Sequence, residues 1–274
     1  MGDNMSGIVT SSSGWRAVDS DSVEIARYLE LSTRLLDVMK RKSIDMLKLQ
    51  PGYSVLDVGC GVGHDAEAIL AIVWPAGRVV GIDAGQELIE KAIERTKAKF
   101  PRPDFRIGDA LALEFADNTF DASRVDRVLQ HLNDPALAIA EMVRVTRPGG
   151  RVAALEPDWH TMIIAGGDVE VAQAVTHRFA SVRVSQGNIG RRLVQLLLDA
   201  GCENADVDAE VLLLRDLGTA NYVMHIRTTL EAAMADGAIT PDKGEAWWTA
   251  VQELDARGQF FASVNGVICG GTIR

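Results

Sequence analysis

Apolar positions recur at near-helical spacing from residue 22 to residue 49, at Val23, Ile25, Ala26 and Leu29 and then at Leu35, Leu36, Met39, Ile44 and Leu47. This predicts one or two amphipathic helices, stopped by Pro51-Gly52. Beyond that turn the period keeps switching. Short runs rich in β-formers at 54–58, 78–82, 104–107, 120–125 and 150–155 predict strands, and runs of helical spacing at 64–73, 86–99 and 135–145 predict the helices between them. Strand and helix in alternation imply an α/β fold with a doubly wound, mostly parallel sheet. Arg147-Pro148-Gly149-Gly150 reads as the turn into the fifth strand.

The pattern changes after residue 157. Helical spacing at 169–184 and 189–200 leads to a strand-like run at 211–215, a long helical insertion over 219–257 and a closing FFASVNGVICGGTI. The last two strand candidates predict an antiparallel edge on the parallel sheet. Residues 1–14, rich in Gly, Ser, Asn and Thr, predict a flexible tail ahead of one domain over 15–274. Within it, 22–49 and 219–257 are expected as lids, 50–157 as a ligand-binding core and 158–274 as the substrate-side half.

Composition narrows the function. With 47% hydrophobic and 24% charged residues the chain is expected to be globular, and its net charge of -10 repels nucleic acid at long range. Cys60, Cys202 and Cys269 lack C-x-x-C spacing and His160, His177 and His225 lack ligand spacing, so no metal is assigned. The first residues show no basic flank followed by an apolar run, and no apolar run approaches the roughly 18 residues of a membrane span. A cytoplasmic protein without a membrane span is expected, and a homo-oligomer is left open.

The strongest chemical signal is Asp57-Val58-Gly59-Cys60-Gly61-Val62-Gly63, an apolar strand running into glycines and then a helix. Glycines at such a turn accept positive φ and let a ligand lie on bare backbone, while the helix start offers free N–H groups. The dinucleotide fingerprint G-x-G-x-x-G fails at His64, and no G-K-[ST] follows. A second carboxylate, Asp83, ends the second predicted strand, where it can accept both hydroxyls of a ribose or cap the next helix. A third, Asp109, ends the next strand. All of them fall at the sheet edge where open α/β folds bind ligands.

Taken in order, Asp57 to Gly63, Asp83, Gly108-Asp109-Ala110, Phe120-Asp121-Ala122 and Arg147 to Gly150 resemble the class I S-adenosylmethionine-dependent methyltransferases, in the group similar to quinone-biosynthesis and small-molecule enzymes. The resemblance covers residues 50–157 closely, and the closing strand is similar to that family's last strand. It implies a Rossmann-like seven-stranded sheet and S-adenosylmethionine as cofactor. By the same resemblance Gly59, Gly61 and Gly63 receive its methionine and ribose part and Asp83, with Ala84 beside it, the ribose hydroxyls. Asp109 and Ala110 receive adenine, and Asp57 orients the loop and the amino group; Asp126, at the end of the fourth strand, is a further cofactor-binding candidate.

Methyl transfer is an in-line displacement, so alignment of the acceptor is the main requirement and a base is optional. The candidates for the chemistry lie past the fourth and fifth strands: His131, Arg127 and Glu156, with Trp159 and the lid residue Tyr28 lining the acceptor pocket. His131 reads either as a proton acceptor or as a packed residue ahead of a helix capped by Asn133 or Asp134. Arg127 reads either as a guide for an anionic acceptor or as the partner of Asp126 or Glu156. Trp247 and Trp248 read as packing residues on the insertion. Methylation of O, N or C on a small, partly apolar metabolite is the expected activity, the alternative being a cofactor-binding protein that promotes a cyclisation or rearrangement.

Overall fold

The computed structural model describes residue 31 and residues 34–274. The expected tail, Tyr28 and much of the first predicted helical segment lie outside the described residues. The first complete element, α1 (Asp37–Asp45), is followed by β1 (Ser54–Val58), α2 (His64–Val73), β2 (Arg78–Asp83), α3 (Gln86–Thr96), β3 (Asp104–Ile107) and β4 (Phe120–Asp126). Then come α4 (Pro135–Val145), β5 (Thr146–Ile164), α5 (Val169–Arg178), α6 (Ile189–Asp199) and β6 (Cys202–Leu214). Three helices, α7 (Leu217–Met224), α8 (Ile226–Ala235) and α9 (Pro241–Ala256), precede the last strand, β7 (Ala262–Ile273).

The seven strands form one sheet in the order β3-β2-β1-β4-β5-β7-β6. Neighbours from β3 to β5 are parallel, and β7 runs antiparallel to both β5 and β6. The last two strands thus form the expected antiparallel edge, with β7 against β5 and β6 outermost. The chain winds outward from β1 through β2 to β3, then returns to place β4 on the other side of β1. The crevice beyond the C-terminal ends of β1 and β4 is the topological switch point of the sheet.

Both faces of the sheet are covered, which is why its central strands are almost continuously apolar. On one face Leu56, Val58, Ile82 and Val125 pack with Ala138, Ile139 and Met142 of α4 and Leu193 and Leu197 of α6. On the other, Val55, Val79, Ala122 and Ala153 pack with Ala66, Ile69 and Val73 of α2 and Ile44 of α1. Each of these buried Val, Leu, Ile or Met side chains contributes about 1.5–3 kcal/mol. A further core lies along the C-terminal part of β5, where Trp159, Met162 and Ile164 join Val175 and Phe179, and Trp247 of α9 is 1% exposed. Its indole donates to the Gly166 carbonyl (3.0 Å).

Two elements run longer than their sequence pattern. β5 continues through Glu156-Pro157-Asp158 to Ile164, although proline usually ends a strand. Past Leu155, which pairs with Asp126, β4 has ended and only β7 remains alongside. A one-sided strand tolerates a residue without an N–H. β6 begins at Cys202 rather than near Val211 because its register with β7 holds it, despite a shift between Glu203 and Asp206. The expected turn at Arg147 to Gly150 is absorbed into β5 as an irregularity opposite Phe120 and Ala122.

Candidate functional site

β1 ends at Val58, and the next residues bend back at once. Gly59, Gly61 and Gly63 have φ of +70°, +54° and +80°, a region that side-chain-bearing residues enter at a cost. At two of them space is also closed: a Cβ on Gly59 would lie 2.1 Å from Val128 Cγ2, and one on Gly63 would lie 2.3 Å from Phe105 Cζ. Gly59 thus lets the loop after β1 touch the loop after β4. Gly63 sits at the start of α2 and lets it pack on β3.

Asp83, at the end of β2, accepts from the backbone N–H of Gly61 (2.9 Å) and of Gly85 (2.8 Å), so it fixes the glycine loop from the neighbouring strand. Burial raises its pKa above the ordinary value, and those two N–H groups pull against the rise. A carboxylate has about four acceptor positions, which leaves capacity for a diol. Ala84 follows on the surface. Asp109, past β3, accepts from Leu111 N–H (2.9 Å) beside buried Ala110. The Gly108 N–H donates to the Asp83 carbonyl (3.0 Å), which binds the two strand ends together.

Beneath the loop lies an ion cluster. Arg124 of β4 is fully buried and its guanidinium reaches Asp57 Oδ1 (3.3 Å), Asp65 Oδ2 (3.1 Å), Asp126 Oδ2 (3.1 Å) and Ser43 Oγ (2.8 Å). Lys40 Nζ pairs with Asp65 and with Asp126 (2.9 Å), and Arg127 Nε with Asp126 Oδ1 (2.9 Å). Burial works against the Asp126 charge, yet Arg127, Lys40 and Arg124 together hold it well below the usual carboxylate range. Asp57 differs. Burial pushes it up to about 7 against the attraction of Arg124, and its Oδ2 is buried without a hydrogen-bond partner. Such an atom costs free energy unless a donor reaches it, which fits a ligand carrying an ammonium group.

Lys40, Ser43, Asp65 and Arg124 escape a sequence reading. Arg124 alone left a trace, as a charged residue inside a strand that should be apolar on both faces. Arg127 takes the Asp126 partnership, with φ of +56° just past the strand. Glu156 is completely buried: its Oε1 accepts from Val128 N–H (2.8 Å) and Leu129 N–H (2.6 Å), its Oε2 from Gln130 N–H (3.4 Å). These donors form the short 3-10 turn that carries His131, so Glu156 grips that turn from β5. Burial pushes Glu156 up to about 8 against these hydrogen bonds. Burial, and then the charge of Arg127, push His131 down to about 4. Asp134, one of the two expected caps, accepts from Leu137 N–H (3.0 Å).

Trp159 is buried and donates from Nε1 to Gln130 Oε1 (2.8 Å), which ties it to the same turn. With His160, Gln173, Thr176 and His177 it borders a cleft of about 220 Å³. Among the described residues no group of three or more His, Cys, Asp or Glu is placed to hold a metal, and no helix is long and apolar enough to cross a membrane.

Residues 49–201, more than half of the chain, match the family described as Methyltransferase domain. The chain is 40% identical over 225 residues to an uncharacterized 37.1 kDa protein in a transposon of Streptomyces fradiae, covering 82% of this chain and 64% of that one. It is 32% identical over 125 residues to a demethylmenaquinone methyltransferase of Desulfitobacterium hafniense, covering 45% and 49%. It therefore spans less than two thirds of the length of either relative. In fold it is similar to the YcgJ protein of Bacillus subtilis, with a TM-score of 0.59, 20% identity, and 88% and 98% of the two chains covered.

Proposed function

The chain belongs to the class I S-adenosylmethionine-dependent methyltransferases, and we propose that it methylates an O, N or C atom of a small, partly apolar metabolite. When bound, S-adenosylmethionine supplies an electrophilic methyl group on a sulfonium centre. The observation that carries the assignment of its place is the glycine loop closed over an ion cluster in which one buried oxygen, Asp57 Oδ2, is unsatisfied. Asp57 would take the amino group, Gly59, Gly61 and Gly63 the methionine and ribose part, Asp83 with Ala84 the ribose hydroxyls, and Asp109 with Ala110 the adenine. Asp126 holds the cationic side of the floor in place.

His131 is the candidate proton acceptor by its place just past β4, although burial and Arg127 make its imidazole a weak base. Its depressed pKa keeps the imidazole neutral at neutral pH. Glu156 has its oxygens engaged by backbone N–H groups, so its part is to fix the His131 turn. Arg127 secures Asp126 and lowers the affinity of His131 for a proton. We place the acceptor at the cleft beside Trp159, which Gln130 ties to the turn that carries His131. Similarity to an enzyme named for a demethylated menaquinone supports a partly apolar acceptor.

The test is calorimetric titration of the whole chain with S-adenosylmethionine and S-adenosylhomocysteine, wild type against Asp83→Ala, followed by acceptor screening with quinols, phenols and amines. S-adenosylhomocysteine formed only with one acceptor class establishes the activity. Wild-type protein that binds neither compound would dismiss the assignment.

A further inference from the structure

Two members of the ion cluster, Lys40 and Ser43, come from α1, ahead of the matched segment 49–201. A lysine only 8% exposed needs partners, and Lys40 has two carboxylates, Asp65 and Asp126. Ser43 Oγ accepts from Arg124 Nε (2.8 Å) and donates to the Lys40 carbonyl (2.7 Å). The helix has other anchors: Met39 and Ile44 are buried, Lys42 pairs with Asp208 and Glu210 of β6, and Arg151 Nε donates to the Met46 carbonyl (2.5 Å). Lys40 is therefore not what seats α1.

Its place in the charge balance is more telling. Asp57, Asp65 and Asp126 face Lys40, Arg124 and Arg127. Arg124 is the ion-pair partner of Asp57, yet it is shared with the other two carboxylates. Lys40 gives Asp65 a second cation beside Arg124, and Asp126 a third beside Arg124 and Arg127. Without it, two guanidinium groups would serve three carboxylates, two of them buried, and Asp57, with one oxygen unpartnered, would be the first to take up a proton.

We propose that Lys40 is a positioning residue for cofactor capture: by adding a cation to Asp65 and Asp126 from the N-terminal helix, it lessens their demand on the Arg124 that Asp57 shares with them and keeps Asp57 Oδ2 a charged acceptor for the cofactor's amino group. This rests on the methyltransferase reading above. The charged and titratable groups around Asp57 are Lys40 of α1, Asp65 of α2, Arg124 and Asp126 of β4, and Cys60 on the glycine loop. Of these, Lys40 and Arg124 favour its ionised form. Loss of Lys40 moves the Asp57 titration further up from about 7.

The experiment is titration with S-adenosylhomocysteine by calorimetry from about pH 6 to about pH 8.5. Wild-type affinity should rise with pH through the Asp57 transition. Lys40→Met should bind about fivefold more weakly at neutral pH, with the rise displaced upward by about one pH unit and affinity recovering at the alkaline end. Lys40→Arg, and Arg41→Met on the exposed side of the same helix, should keep the wild-type curve. Lys40→Met combined with Asp65→Asn restores the balance and should return the midpoint. Asp65→Asn alone should move the midpoint down, which carries the test if Lys40→Met does not fold. A Lys40→Met curve lowered equally at every pH, or an Asp65→Asn midpoint that does not move, overturns the proposal. Wild-type protein without affinity for either cofactor form would instead sink the methyltransferase reading itself.

Discussion

Replacing Glu156 by glutamine isolates the stability cost of a carboxyl group buried in the centre of the protein. The side chain is 0% exposed and receives two good backbone hydrogen bonds on Oε1 and a longer one on Oε2. Burial raises its pKa from the ordinary 4.5 to about 8. The native state therefore holds a proton that the unfolded chain has already released above pH 4.5. The stabilisation linked to that proton is complete below the unfolded pKa and is lost as pH rises through the folded one. At about 1.36 kcal/mol per pH unit, the loss across the window is on the order of 5 kcal/mol. That compares with a total stability of about 5–15 kcal/mol for a typical domain.

Glutamine keeps a carbonyl oxygen for Val128 and Leu129 and cannot ionise. Urea unfolding followed by tryptophan fluorescence should place wild type and Glu156→Gln within about 1 kcal/mol of each other near pH 5. Near pH 8.5 the glutamine variant should be the more stable by several kcal/mol, while Glu156→Ala should be the less stable near pH 5 because it orphans buried N–H groups at about 1–3 kcal/mol each. A wild-type-to-glutamine difference that stays constant between the two pH values would refute the reasoning. It would mean that Glu156 ionises in the folded protein as it does in water.

Gly63→Ala places a methyl group 2.3 Å from Phe105 Cζ on a residue with φ of +80°. Loss of about 1–3 kcal/mol of stability and at least tenfold weaker S-adenosylhomocysteine binding are expected, by thermal melting and calorimetry. His131→Ala should lower kcat by about 100-fold or more while leaving cofactor affinity within about twofold, once an acceptor that must lose a proton is in hand. With its pKa near 4, His131 should add no acidic limb to the kcat profile between pH 6 and 8; a limb there that disappears in His131→Ala would contradict its buried, Arg127-facing position.

The sequence alone determined the alternating half of the fold. β1, α2, β3 and α4 appear with the bounds their patterns predict, because their apolar periods serve local packing on a doubly covered sheet. Asp57 to Gly63, Asp83 and Asp109 were also legible, since positive-φ glycines and acids at strand ends are local signals. Tertiary structure decided what depends on distant partners. It set the internal place of β7, the extension of β5 through Pro157 once β4 had ended, and the full length of β6. It also assembled the floor of the site. Lys40, Asp65 and Arg124 lie on three different elements and carry no shared spacing, so only burial together, where each charge requires the others, makes them one unit.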